Sequence, residues 1–132
     1  MIRTVSLAAT ACLTLTACQQ TPEVVDMNKP APACFSVSDF KSWRSPDAKT
    51  MYIRANVRNF YRLDLVGACS TLNWPGTYLI TTFRGPTSIC SHLDWDIKVA
   101  ESGSNIAVPC MVEKMTPLTP AEAAAIPDKF KP

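Results

Sequence analysis

Residues 50–66 decide the fold, and they read TMYIRANVRNFYRLDLV. The odd-numbered positions from Met51 to Leu65 are mostly apolar, whereas the even-numbered positions from Arg54 to Asp64 are mostly polar. Successive side chains on a β-strand point to opposite faces, so this alternation predicts strands with one buried and one solvent-facing side. The stretch is too long for one ordinary strand. We therefore expect two strands that divide near Arg58 and Asn59.

Further strands are predicted on the C-terminal side of this stretch. Residues 77–83 are rich in β-branched and aromatic side chains, which favour strands. From Leu93 to Val99 apolar and polar residues alternate, and residues 101–105 suit a hairpin loop because they contain Gly103. Residues 106–112 alternate again and predict the return strand. About five short strands predict a mainly β fold, a small antiparallel sheet or partly closed barrel. A single twisted sheet with a helix packed on it is the alternative.

Short helical turns are predicted at both ends of the strand region. Apolar residues at Val37, Phe40 and Trp43 have helical spacing. The sequence 119–122, Thr-Pro-Ala-Glu, combines a capping threonine, a proline at the first helical position and a glutamate that completes a capping box. Pro127 ends this helix. We expect a polar tail at residues 127–132.

The N-terminus is typical of a cleaved export signal. Arg3 is the only charge in residues 1–17, and residues 5–16 are apolar or small. This apolar run is shorter than the roughly 20 residues that a membrane-spanning helix needs. A short positive region, a short apolar region and small residues at the cleavage site predict a signal peptide.

The cleavage site predicts lipid attachment. Residues 15–18, Leu-Thr-Ala-Cys, resemble the lipobox of bacterial lipoproteins, in which the cysteine thiol is acylated and becomes the new N-terminus. The alternative is an ordinary secretory signal in which Cys18 is incidental. Attached acyl chains hold a protein on a bilayer without a binding surface of its own. By resemblance to lipoprotein sorting in enterobacteria, Gln19 favours the outer membrane, with the domain facing the periplasm.

The predicted organisation is a lipidated tether followed by one domain. Residues 18–33 contain prolines and charges without periodicity, which predicts a semi-extended tether. Residues 34–126 form the predicted disulfide-bonded domain. The net charge of the chain is +2. This nearly neutral net charge argues against a nucleic-acid partner, because nucleic-acid-binding domains are usually strongly basic.

Four cysteines remain after the signal and Cys18 are set aside: Cys34, Cys69, Cys90 and Cys110. An even number of cysteines in a small exported domain predicts two disulfides. Structural zinc sites need closely spaced cysteine pairs such as Cys-x-x-Cys, which are absent from this sequence. Four cysteines allow three pairings, and the sequence leaves all three open. Pairing of neighbours along the chain, Cys34–Cys69 and Cys90–Cys110, is our working expectation.

The order of these features resembles a known family. The features are Cys34-Phe35, Trp43, Tyr61-Arg62-Leu63-Asp64-Leu65, Cys69-x-x-Leu72, Cys90, Cys110 and Leu118-Thr119-x-x-Glu122. The pattern from Cys34 to Ile126 is similar to that of small proteobacterial envelope proteins classed only as a domain of unknown function. The resemblance implies a shared fold, and it supplies no catalytic residues.

Two groups of polar residues are candidate sites. Arg54, Arg58 and Arg62 form a basic stripe if the strands stay in register, and guanidinium groups bind phosphates and carboxylates. The alternative is an exposed sheet face that charge keeps soluble and protects from edge pairing.

The second group is His92, Asp94 and Asp96, which share one face if they lie on a single strand. One imidazole and two carboxylates suit a divalent metal such as zinc. The alternative is a solvated face opposite buried apolar residues.

Aromatic residues supply a third candidate. Most of the tryptophans and tyrosines belong in the core, because large aromatics dominate burial in small domains. Trp74 lies beside Pro75 and Gly76, which predicts an exposed position on a turn. Trp74 is therefore the first residue to test for ligand binding.

The function expected from these features is non-enzymatic and needs no cofactor. We expect an envelope lipoprotein that binds another envelope protein or a glycan. The alternative is an inhibitor or protective module against a host or competitor enzyme, with residues 74–76 or 84–86 as its projecting loop. A metal-dependent enzyme built on His92, Asp94 and Asp96 is the third hypothesis.

Overall fold

The structure of the protein is a computed structural model that describes residues 24–85 and 87–132. The described residues form short strands and one helix. The strands are β1 (Phe35–Ser36), β2 (Phe40–Arg44), β3 (Thr50–Ala55), β4 (Asn59–Leu65), β5 (Thr77–Phe83), β6 (Ser88–Ile89), β7 (Trp95–Glu101), β8 (Ala107–Pro109) and β9 (Val112–Pro117). The helix is α1 (Pro120–Ala125), and 3-10 turns occupy Val37–Asp39, His92–Asp94 and Asp128–Phe130.

The predicted hairpin at residues 50–66 is confirmed and forms the centre of the largest sheet. β3 and β4 pair antiparallel with Ile53 opposite Tyr61, and β2 and β9 flank them in the order β2-β3-β4-β9. Asn56 turns the chain between the two strands with φ 55°, and its side-chain oxygen accepts the backbone N–H groups of Arg58 and Asn59. Asparagine tolerates this left-handed conformation because its side chain bonds the nearby backbone.

Two smaller sheets share the core of this hairpin. The order β5-β7-β8 forms a three-stranded antiparallel sheet, and β1 pairs with β6. Met51, Ile53, Tyr61 and Leu63 on the inner face of the hairpin have no exposed surface. The ring of Phe35 lies 4.9 Å from that of Tyr61 and 6.1 Å from that of Trp95, so aromatic contacts join all three sheets.

The mainly β fold predicted from the sequence is confirmed, and its strands form small antiparallel sheets. Residues 24–85 and 87–132 form three separate antiparallel sheets, and no barrel closes among them. The chain changes sheet at Cys110, where the backbone N–H still bonds to the carbonyl of Ile97 in β7. One residue later, the carbonyl of Met111 accepts the N–H of Val66 beside β4. The predicted return strand 106–112 is therefore split between two sheets, and Ile106 is exposed.

Two further predictions are corrected by local hydrogen bonding. The helical spacing of Val37, Phe40 and Trp43 yields only a 3-10 turn, and Phe40–Arg44 continues as β2. The strand predicted from Leu93 begins at Trp95, because His92–Asp94 forms a 3-10 turn. Leu93 is 65% exposed rather than buried.

The C-terminal helix is confirmed with its predicted cap. The hydroxyl of Thr119 accepts the N–H of Glu122 at 3.1 Å, and the Glu122 carboxylate accepts the N–H of Thr119 at 2.8 Å. The Thr119 hydroxyl also donates to this carboxylate at 3.0 Å, and the two bonds donated by the N–H and the hydroxyl of Thr119 lower the pKa of Glu122 below its ordinary value. Ile126, which follows the helix, is buried and lines a shallow groove with Tyr52 on the outer face of the large sheet.

The two predicted disulfides are present, but the expected pairing of neighbours is wrong. Cys34 bonds to Cys90, and Cys69 bonds to Cys110. Phe35 of β1 lies opposite Ile89 of β6, so strand pairing places Cys34 and Cys90 side by side. Cys69 follows β4 and Cys110 precedes β9, which pair with each other, so these two cysteines also meet. Strand partners, rather than distance along the chain, select the pairing.

The disulfide pairing can be read from tryptic peptides of the unreduced protein, because the four cysteines lie on four different peptides. We expect peptide 85–98 to be linked to the peptide that ends at Lys41, and peptide 63–84 to be linked to peptide 99–114. Mass spectrometry before and after reduction identifies each linked pair. A link between peptide 63–84 and the peptide that ends at Lys41 would contradict the observed pairing.

Candidate functional site

The exposed aromatic predicted at Trp74 lines a groove, which we call the Trp74 groove. Its volume is about 340 Å³, and it is formed by residues 43–45, residues 72–77, Lys129 and Phe130. Ligand sites usually start at about 300 Å³. The groove is thus large enough for one ring of a small ligand.

The turn that carries Trp74 is held by hydrogen bonds on both sides. The Trp74 N–H donates to the carbonyl of Thr71 at 3.1 Å, and the Thr77 hydroxyl donates to the same carbonyl at 2.8 Å. Gly76 has φ +81°, a conformation that glycine adopts without a steric penalty. Its carbonyl accepts the N–H of Ser102 at 3.0 Å. Leu72 is buried beneath the turn, so Trp74 stands 55% exposed on a fixed backbone.

The lining of the groove is aromatic and cationic. Trp43, Trp74 and Phe130 supply three ring systems, and Arg44 and Lys129 supply two positive charges. The Lys129 ammonium lies 4.6 Å from the centre of the Phe130 ring, which is a cation–π distance. No carboxylate belongs to the described lining. Such a surface suits a ligand with one flat apolar face and a negative charge.

The N-terminal end of the described chain lies at the opposite end of the large sheet. The Ala31 N–H donates to the Leu118 carbonyl at 2.9 Å, and the Tyr61 hydroxyl donates to the Pro32 carbonyl at 2.9 Å. Val24 and Val25 line a second groove with the β3–β4 turn. The Trp74 groove instead adjoins Arg44, where β2 ends. The length of β3 therefore separates the two sites.

Part of the segment expected to be a tether contacts the domain. Besides Ala31 and Pro32, Met27 is hydrogen-bonded to it, since the Met27 carbonyl accepts the Ala121 N–H at 3.3 Å. Cys18 and the signal lie outside the described residues. Within the described part of the chain, no helix has the length and apolarity needed to cross a bilayer.

The predicted arginine stripe is only partly assembled. Arg54 and Arg62 lie on the outer face of neighbouring strands, with Arg54 opposite Phe60 and Arg62 opposite Tyr52. Arg58 lies in the turn between the strands. Arg62 is paired with Asp64 at 2.8 Å, so its charge is largely compensated.

The predicted metal trio does not form. Asp94 accepts the N–H groups of Cys90 and Ser91 at 2.8 Å each, and these bonds lower its pKa. Asp96 forms an ion pair with Arg84, whose hydrogen bond lowers the pKa of Asp96. Among the described residues, no three histidine, cysteine or carboxylate side chains gather as metal ligands. The capping box of Ser91 and Asp94 turns the chain, so His92 and Asp94 are not on β7.

Sequence reasoning missed that Arg44, Lys129 and Phe130 line the Trp74 groove. Phe130 and Lys129 belong to a segment that was expected to be a polar tail, yet they form a 3-10 turn at the groove. The pattern of residues 127–132 carries no signal of this contact. Only the exposed aromatic beside Pro75 and Gly76 was recognisable in advance.

The fold and the groove define a small β protein with two disulfides and one aromatic, cationic surface site. The chain belongs to a family of unknown function (DUF6491), whose profile matches residues 1–129. This match agrees with the coarser part of the family resemblance, a domain of unknown function. No curated protein and no solved structure shows significant similarity to the chain.

Tyr61, which holds the N-terminal segment, provides a test by pH. Burial, followed by the nearby charge of Asp39, raises the pKa of Tyr61 from 10.0 to about 12. The folded state therefore keeps a proton that the unfolded state loses above pH 10, and stability due to this group falls between pH 10 and about 12. Tyr61→Phe removes this decline but also removes the bond to Pro32, at a cost of about 1 kcal/mol.

We expect Tyr61→Phe to be less stable than the natural protein at pH 8 and to lose less stability above pH 10. Chemical denaturation at a series of pH values measures both differences. Tyr78→Phe is the matched control because Tyr78 is exposed. Parallel stability curves for the natural protein and Tyr61→Phe would contradict the assignment.

Proposed function

We propose that this protein is a lipid-anchored lipoprotein of the bacterial envelope, whose domain binds an anionic envelope glycan in the Trp74 groove without catalysing a reaction. The lipobox at residues 15–18 supports the anchor, and the two disulfides agree with an oxidising compartment. The aromatic and cationic side chains that line the groove indicate which class of ligand it binds.

Anionic glycans match this groove in shape and charge. The apolar face of a sugar ring packs on a flat aromatic side chain, as the exposed Trp74 ring offers. Arg44 and Lys129 at the rim suit the carboxylates or phosphates that envelope glycans carry. Peptidoglycan and the lipopolysaccharide core share this chemistry.

The position of the groove favours a ligand beyond the lipid surface. Residues 24–32 lie at the end of the large sheet that carries the β3–β4 turn, and the proposed anchor precedes them. β3 has six residues, which correspond to about 20 Å of strand. A lipid at Cys18 therefore leaves the groove on the side of the domain away from the anchored end.

The described contacts favour a binding role over the other two hypotheses. Asp94 and Asp96 are occupied by backbone N–H groups and by Arg84, which leaves neither carboxylate poised to bind a metal. An inhibitor should present a projecting, rigid loop, whereas the turn at residues 74–76, although held against Thr71 and Ser102, lines a groove. A fixed aromatic turn beside a groove suits a binding site.

The anchor is tested on the natural protein extracted from membranes. We expect its N-terminal peptide to begin at Cys18 and to carry added acyl mass, because the lipobox cysteine accepts lipid before cleavage. Mass spectrometry of that peptide is the measurement. A chain that retains residues 1–17, or an unmodified Cys18, would contradict the anchor.

The groove is tested by cosedimentation of the full chain, in detergent, with purified peptidoglycan sacculi. Binding of the phosphorylated core oligosaccharide of lipopolysaccharide is measured in parallel by calorimetry. We expect one of these glycans to bind and Trp74→Ala to weaken it by about 2 kcal/mol, roughly thirtyfold in Kd. Arg44→Ala should weaken it about tenfold, and added salt should do the same.

Arg62→Ala is the matched control, since Arg62 is an exposed cation outside the groove. Leu93→Ala controls for loss of an exposed apolar side chain. Both variants should bind like the natural protein. Equal losses in Arg62→Ala and Arg44→Ala would move the site to the arginine stripe, and no binding to either glycan would refute the proposed ligand class.

A further inference from the structure

β5 is an edge strand with one unpaired side. It pairs with β7 from Thr77 opposite Glu101 to Phe83 opposite Trp95, and no other described strand lies beside it. The Gly76 carbonyl accepts the Ser102 N–H, and the Arg84 N–H donates to the Asp94 carbonyl. Antiparallel bonding alternates along a strand, so the even-numbered residues of β5 bond to β7. The backbone groups of Leu79, Thr81 and Phe83 therefore point to the open side.

The other edge strands of the two larger sheets carry features that discourage further pairing. β2 contains Lys41 and Arg44, and β9 contains Glu113, Lys114 and Pro117. β8 has only three residues and ends in Pro109. Charges, prolines and short length are the usual protections of a sheet edge. β5 has seven residues, TYLITTF, without a charge or a proline.

The side chains of β5 are also incompletely covered. Ile80 is 38% exposed on the outer face, where Tyr78 is exposed as well. Phe83 is 37% exposed although its ring stacks on the buried Trp95, so the core reaches the surface along this edge. A strand added beside β5 would cover apolar surface on both faces and bond the open backbone groups.

We propose that β5 pairs antiparallel with β5 of a second copy of this chain, which forms a two-fold dimer. The register that uses the whole strand places the two copies of Ile80 opposite each other. Leu79 of one copy then lies opposite Thr81 of the other, and Thr77 lies opposite Phe83. The backbone groups of Leu79 and Thr81 point outward, so each Leu79–Thr81 pair exchanges two hydrogen bonds. The Thr77 N–H is bonded within its own turn to the Trp74 carbonyl, so the Thr77–Phe83 pair adds one bond, from the Phe83 N–H to the Thr77 carbonyl.

A second copy suits this edge better than a charged peptide. The strand is uncharged, and in this register every cross-strand pair is apolar or neutral, so no charge opposes its symmetric copy. Ile80 meets Ile80 in a non-hydrogen-bonded pair, the arrangement in which side chains approach most closely. The joined strands form a six-stranded sheet in the order β8-β7-β5-β5-β7-β8.

The dimer would present two Trp74 grooves at opposite ends of the joined strands. Thr77, next to the Trp74 turn, lies opposite Phe83 of the other copy. Two linked sites bind a repeating polymer more tightly than one site. This consequence rests on the proposed glycan function, whereas the dimer itself does not.

The dimer is tested by sedimentation equilibrium of the full chain in density-matched detergent at low ionic strength. Ile80→Glu should fold, because Ile80 lies opposite Lys98 on the neighbouring strand of the same chain. In the dimer, Ile80→Glu places the carboxylates of the two copies opposite each other. Because like charges then repel, we expect the dissociation constant of the dimer to rise about tenfold. Ile80→Lys should have a similar effect. A mixture of the two variants should recover association, since opposite charges then meet.

Ile106→Glu is the control, because Ile106 is 73% exposed and lies outside β5. It should associate like the natural protein. Thr81→Pro provides a second probe, since it removes an N–H that points away from β7 and blocks pairing at the open edge. Circular dichroism verifies that each variant is folded.

A natural protein that stays monomeric at about 0.5 mM, where even a weak dimer of Kd 1 mM is detectable, would overturn the proposal. A mixture of Ile80→Glu and Ile80→Lys that fails to associate would also overturn it. These results are independent of glycan binding, because Trp74→Ala leaves β5 unchanged and should still form the dimer.

Discussion

The structure depends on the complete burial of one face of the β3–β4 hairpin. Met51, Ile53, Tyr61 and Leu63 have no solvent-exposed surface, and each buried side chain of this size contributes about 1.5–3 kcal/mol. All three sheets pack around this face. Because side chains alternate strictly along a strand, the outer face of the same hairpin is left for Arg54 and Arg62.

The disulfides hold the sheets against this face in an interleaved way. Cys34–Cys90 spans 56 residues and Cys69–Cys110 spans 41, and the second bridge begins inside the first and ends beyond it. Each bridge would contribute about 4 kcal/mol in the chain-entropy model. Interleaving prevents either half of the domain from opening alone, whereas bridges between neighbours would have closed two separate loops. A domain of this size buries a modest fraction of its surface, so such covalent support is expected.

The surfaces that carry the proposed functions lie where the core ends. The Trp74 turn is fixed by hydrogen bonds to Thr71 and Ser102, and the 3-10 turn at Asp128–Phe130 places Phe130 in the same groove. The unprotected edge of β5 begins one residue beyond Gly76. A binding groove and a pairing edge are therefore supplied by one continuous segment, and the N-terminal segment is held at the far end of the large sheet by Tyr61.

The sequence by itself determined the features that depend on local chemistry. Alternation in residues 50–66 predicted the hairpin, Thr119 and Glu122 predicted the capped helix, and four separated cysteines predicted two bridges. The turn at His92–Asp94 is also encoded locally, by the capping box of Ser91 and Asp94, but the apolar alternation that continues into β7 hides this signal.

Only the tertiary structure decided which distant segments meet. The cysteine pairing follows from β1 lying beside β6 and β4 beside β9, and sequence separation contains no information about strand partners. The change of sheet at Cys110 and the placement of Phe130 in the Trp74 groove are likewise long-range. Such contacts depend on how the whole core packs, since many pairings satisfy the same local pattern of apolar and polar residues.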